Sequence, residues 1–173
     1  MSEDTMDDEA LHGYLQHHWA GAGAGTSLFR RVAGSHRDPE TAATLARLAD
    51  EVSEDRESLA SIMKAVGARP SRIGTVAARV GAELGRLKPN GRILTRPPLT
   101  DVIELEALFL AVTGKLAGFE LLRSVADTDH RLDVGLLDRL IARTERHRTE
   151  LARLRLIVGH TRLTGSPAGR QTS

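Results

Sequence analysis

Apolar residues recur along this chain at alternating intervals of three and four, the spacing that lays one stripe along an α-helix; the two-residue alternation of a strand is missing. The clearest run is Leu45, Leu48, Val52, Asp55, Leu59, Ile62 and Val66, in which Asp55 is the only polar member. The pattern predicts a first helix over about 6–34, with Asp7, Asp8 and Glu9 suiting the positive end of its dipole. A second begins at Asp38-Pro39-Glu40, an N-cap with proline at the first helical position, and ends near Val66. Gly67-Ala68-Arg69-Pro70 is a break, after which Ser71 can cap a shorter third helix to Lys88 with the apolar face Ile73, Val76, Val80, Leu84 and Leu87. Pro89-Asn90-Gly91 and Pro97-Pro98 separate it from a fourth helix over about 99–126. A fifth, over about 133–163, carries the stripe Leu137, Leu140, Thr144, His147, Leu151, Leu154 and Val158.

Four long helices with a short one between the second and third long ones imply an all-α, antiparallel four-helix bundle with a helical crossover. The crossover returns the chain along the bundle, so the second and fourth predicted helices should run parallel. The expected organisation is a single domain over 6–163, flanked by a disordered acidic N-terminus (1–5) and a disordered small, polar tail (164–173).

Four ionisable residues interrupt the stripes that a bundle should bury: His18, Asp55, Glu106 and His147. A buried ionisable group is costly unless it is paired or bound to a metal. Counting residues from each hairpin turn sets His18 level with Asp55, within hydrogen-bonding reach. The same count puts His147 opposite Ala111 or Val112, and Glu106 opposite Ala152, over a turn away from His147. Lys115 on the fourth helix comes level with Asp55 on the second.

Two readings follow. In the first, His18, Asp55, Lys115 and His147 form a dry polar layer that fixes the register of the helices, with no cofactor. In the second, His18, Glu51, Glu54, Asp55, Glu106, His147 and Glu150 supply ligands for iron, manganese or zinc, with oxidative or storage activity. The first leads, because a lysine ammonium within the layer would repel a divalent cation. Ala20-Gly-Ala-Gly-Ala-Gly25 invites comparison with a phosphate-binding loop, but it has no P-loop lysine and follows no strand. It is better read as part of the first helix, where small residues let another helix approach or allow a kink. Four other histidines, His12, His36, His130 and His160, fall at helix ends or loops and are expected to be solvated.

The helical layout is similar to that of the ferritin-like superfamily. Tyr14-Leu-Gln-His-His-Trp-Ala-Gly-Ala22, Glu51-Val-Ser-Glu-Asp-Arg56, Leu87-Lys-Pro-Asn-Gly-Arg92 and Glu104-Leu-Glu-Ala-Leu-Phe-Leu-Ala-Val-Thr-Gly-Lys115 resemble stretches of bacterial ferritin-like proteins. The resemblance spans most of the domain and implies the fold, but it brings no activity with it. Di-iron members of that superfamily pair a Glu on one helix with Glu-x-x-His on its partner. The only Glu-x-x-His here is Glu9-Ala-Leu-His12, at the start of the first helix, while the fifth helix has the reversed order His147-Arg-Thr-Glu150. The resemblance therefore implies a bundle without the standard di-iron motif: a non-catalytic interaction or oligomeric structural protein.

Composition narrows the choice a little further. The 173 residues carry 24 basic and 23 acidic side chains, a net charge of +1, so no global field selects a nucleic acid or a membrane. With no cysteine there is no disulfide, thiolate metal site or cysteine nucleophile. No apolar stretch is long enough to cross a bilayer and the acidic start is unlike a leader peptide, so a cytoplasmic protein is expected. Arg72, Arg79, Arg86, Lys88 and Arg92 concentrate positive charge between residues 69 and 98, a third reading in which this segment binds an anionic surface. No DNA-binding motif accompanies it and aromatic residues for stacking on single strands are scarce, so a homo-oligomer or a protein partner is expected before nucleic acid.

Overall fold

Each long amphipathic stretch forms a helix. The computed structural model describes residues 6–70, 97 and 99–165, and among them the regular elements are α1 (Asp8–Ser35), α2 (Pro39–Ala65), α3 (Thr100–Val125) and α4 (Val134–Thr164). These agree within two residues with the first, second, fourth and fifth predicted helices. The predicted helix over 71–88, its arginines and Lys88, Arg92, the N-terminus 1–5 and the tail from 166 lie outside the described residues. Thr164 ends α4 and does not open the tail, and Gly165 follows it in the left-handed conformation at φ 69°.

The boundaries have local causes. Asp7, Asp38 and Asp133 each accept a hydrogen bond from a backbone N–H three residues ahead, at 3.0, 2.7 and 2.9 Å, the side-chain cap that satisfies a free donor of the first turn. Leu99 gives α3 no such bond. Gly67 takes φ 81° where the chain leaves α2.

α1 packs against α2 and α3 against α4, with narrower seams joining α1 to α3 and α2 to α4. Ion pairs fix direction: Arg31 near the end of α1 meets Glu104 near the start of α3 at 2.6 Å, and Asp101 at the start of α3 meets Arg162 at the end of α4 at 2.7 Å. Neighbours are therefore antiparallel, and α2 and α3 lie diagonally opposite and run parallel.

The core is divided. At one end Leu11, Leu15, Leu59, Met63, Phe119 and Leu137 pack together with their neighbours. At the other Phe29, Val32, Leu45, Leu108, Leu151 and Leu154 do the same. A fully buried leucine or phenylalanine contributes roughly 1.5–3 kcal/mol, so both ends are strongly driven to close. Between them α2 brings Asp55, α3 brings Lys115, and α4 brings Thr144 and His147. At this level α1 has His18 and then the Gly/Ala run 20–25.

That run stays helical without a break. Close approach by another helix accounts for only part of it. A Cβ built on Gly23 would come within 3.9 Å of Arg56, but one built on Gly21 or Gly25 would meet nothing within 4 Å. The small residues there border open space.

Candidate functional site: the polar layer and the cavity above it

The layer is built from two helical pairs. Glu51 and Asp55 lie one turn apart on α2, and Arg143 and His147 lie one turn apart on α4, so antiparallel packing matches them crosswise. His147 Nε2 donates to Glu51 Oε2 at 2.7 Å, and Arg143 forms an ion pair with Asp55 Oδ1 and a second with Glu54 at 2.8 Å. From the diagonal helix, Lys115 Nζ donates to Asp55 Oδ2 at 2.5 Å and stands 3.4 Å from His147 Nδ1. Asp55 and His147 are each only 1% exposed.

With its proton on Nε2 for Glu51, the imidazole of His147 offers the Nδ1 lone pair to Lys115, so the ring is neutral. Burial and then the nearby Lys115 charge hold its pKa below the usual histidine value. Burial also lowers the Lys115 pKa, opposed by Asp55. Partial burial raises the Glu51 carboxyl, but hydrogen bonds from His147 and Arg47 outweigh it and leave the group below its ordinary range. Two carboxylates thus face two cations around a neutral ring. Each charged member is committed to another member, so the layer presents no free base or nucleophile of its own.

His18 does not join Asp55. Its ring lies on α3, over Gly118, where an added Cβ would come within 2.6 Å of it, and it also contacts Tyr14 with ring centroids 4.5 Å apart. The reason is that Lys115 and Arg143 already occupy both oxygens of Asp55. Burial, followed by the neighbouring His17, lowers the His18 pKa. Glu106 is not on the buried stripe: it is exposed, 3.8 Å from Arg155, because it lies on the solvent side of Leu105 and Leu108. Glu150 pairs with Arg153 at 2.7 Å, and Glu54 is exposed beside Arg143.

Other expectations are also adjusted. His36 is buried at the turn between α1 and α2, where its Nδ1 accepts from the Asp38 N–H at 3.2 Å, and His12 is bonded to the Val66 carbonyl at 2.9 Å. His130 and His160 are exposed. Arg143, Asp101 and Glu104 were not singled out from the sequence, though all three belong to ion pairs whose carboxylate is buried. Arg143 carried a signal, since it precedes His147 by one turn on the same face. Asp101 and Glu104 resembled ordinary dipole-favouring acids of a first turn.

Above the layer, between α1 and α3, lies a cavity of about 580 Å³. Its walls are Gly21, Ala24 and Gly25 from one side and Ala107, Ala111 and Gly114 from the other; Asp55 and Lys115 reach it from the layer, and His17, His18 and Arg56 also line it. Leu110 stands at its edge, 68% exposed, and Ile103 and Leu121 continue the apolar face of α3 along the same side.

The residues do not fit a metal centre. An ion held by Glu51, Asp55 and His147 would have to displace the Lys115 ammonium, and among the described residues no three His, Asp or Glu side chains are grouped to hold one. No described helix is long and apolar enough to cross a membrane. No family model, curated protein or solved structure matches the chain.

Proposed function

We propose that this chain is a ferritin-like bundle that works by binding and not by metal chemistry, with the α1–α3 face as its working surface. The observation that carries this reading is the position of Lys115, whose ammonium stands between Asp55 Oδ2 and His147 Nδ1, where a coordinated cation would otherwise sit. A lysine there supplies the charge that the carboxylates require, and the layer serves to hold the helices in register. The apolar cavity beside it has the size and composition of a binding pocket, largely apolar with a few polar groups to orient an occupant.

The test is metal content together with stability. Protein purified without chelators should contain less than stoichiometric iron, manganese or zinc, and added metal should leave its melting temperature unchanged. Stoichiometric metal that disappears in His147→Ala would overturn the reading. The exposed Ile103, Leu110 and Leu121 favour a second reading, in which the same face joins two copies of the chain. Light scattering at rising concentration checks it: Leu110→Lys should shift a dimer toward monomer.

A further inference from the structure

The cavity between α1 and α3 has one kind of charge left over. Asp55, the carboxylate that reaches it, is held by both Lys115 and Arg143, so it contributes no net negative charge. Arg56 also lines the cavity and has no carboxylate partner among the described residues. Its guanidinium lies over the Trp19 ring, 3.8 Å from the centroid, and its Nε is buried without a hydrogen-bond acceptor. Its guanidinium presents a planar fork suited to a carboxylate.

From this geometry we infer that the cavity binds a long-chain carboxylate, its alkyl chain between the Gly/Ala walls of α1 and α3 and its head group on Arg56. The chemistry on each side selects that class. The facing Gly/Ala walls leave width for a chain, Phe29, Leu59 and Phe119 extend the apolar lining, and besides the layer the polar side chains that reach it are His17, His18 and Arg56. The unneutralised cation asks for a single negative charge and disfavours a cationic head group. A volume of about 580 Å³ falls within the range of small-molecule pockets, roughly 300–1,000 Å³. The inference rests on the binding reading above, but its test is independent of the metal assay.

The experiment titrates the full chain with laurate, dodecanol and dodecyltrimethylammonium below their aggregation concentrations. Trp19, the only tryptophan, reports through its fluorescence, and calorimetry gives the stoichiometry. Laurate should bind saturably at one per chain, with dodecanol at least tenfold weaker and the ammonium amphiphile weaker still. Arg56→Gln should remove laurate's advantage over dodecanol. Gly25→Leu and Gly114→Leu should abolish binding of all three by filling the cavity. An added Cβ meets nothing within 4 Å at either glycine, so both variants should fold, as circular dichroism will show.

Equal binding of the three probes, or laurate binding that survives both leucine variants, would overturn the inference. No binding together with a dimer that either leucine variant dissociates would also overturn it, and would assign the cavity to a second copy of the chain. If metal is found while laurate binds as described, the metal-free reading fails and the pocket stands. If metal is absent and laurate does not bind, the reverse holds.

Discussion

Lys115 Nζ and Asp55 Oδ2, 2.5 Å apart, join the two diagonal helices of the bundle. Asp55 is the point on which the layer turns, because Arg143 holds its other oxygen from α4. Asp55→Ala would leave both cations without that acceptor and should cost about 3–5 kcal/mol in urea unfolding. Lys115→Met should cost less, since Arg143 still neutralises Asp55. Replacing both, as Asp55→Leu with Lys115→Met, should recover most of the loss, because Arg143 retains Glu54. A double variant no more stable than Asp55→Ala would count against a purely structural layer.

The glycines divide by what surrounds them. Gly21→Ala and Gly25→Ala place a methyl in open space within a helix, and each should raise stability by roughly 0.5–1 kcal/mol. Gly118→Ala should do the opposite, since its methyl would meet the His18 ring at 2.6 Å and the ring must move. Thermal melts rank the three, and the His18 resonances should shift only in the Gly118 variant.

Acid should weaken the fold in two steps. His147 and His18 have pKa values lowered from 6.5, so the unfolded chain takes up their protons first, and their contribution is present above pH 6.5 and lost as the pH falls through their folded values. Glu51 and Glu150 are lowered from 4.5, and their contribution disappears below that in the same sense. His147→Gln should flatten the first step in urea midpoints measured from pH 7.5 to 5 and leave the second. A midpoint that rises on acidification through pH 6 would contradict the burial of a neutral His147.

Arg56 over Trp19 should be visible in emission. Arg56→Gln removes a cation 3.8 Å from the ring centroid, so the wavelength or yield of the single tryptophan should change, with a stability loss of about 0.5–1 kcal/mol. An emission spectrum identical to that of the parent protein would place the guanidinium elsewhere in solution.

Helical period alone made most of the architecture legible. The α2 stripe from Leu45 to Val66 is buried throughout, Asp55 included, and so is the α4 stripe from Leu137 to Val158. Counting from turns also brought Lys115 near Asp55. It failed for His18, because level is not orientation: the ring turns onto Gly118, and Asp55 is taken from two other helices. Glu106 failed for a related reason. α3 is apolar nearly all round, so its sequence does not mark which side faces the core, and the buried acids are Asp101 and Glu104. Their partners, Arg162 and Arg31, come from other helices, and no periodicity within one helix reports such a pairing.

The polar layer also affects how the chain can change. Apolar side chains near Leu15 and those near Leu108 belong to separate packed groups, so a volume change in one need not be answered in the other. Each half can drift in sequence on its own terms, while in the layer between them a change at Asp55 calls for a matching change at Lys115.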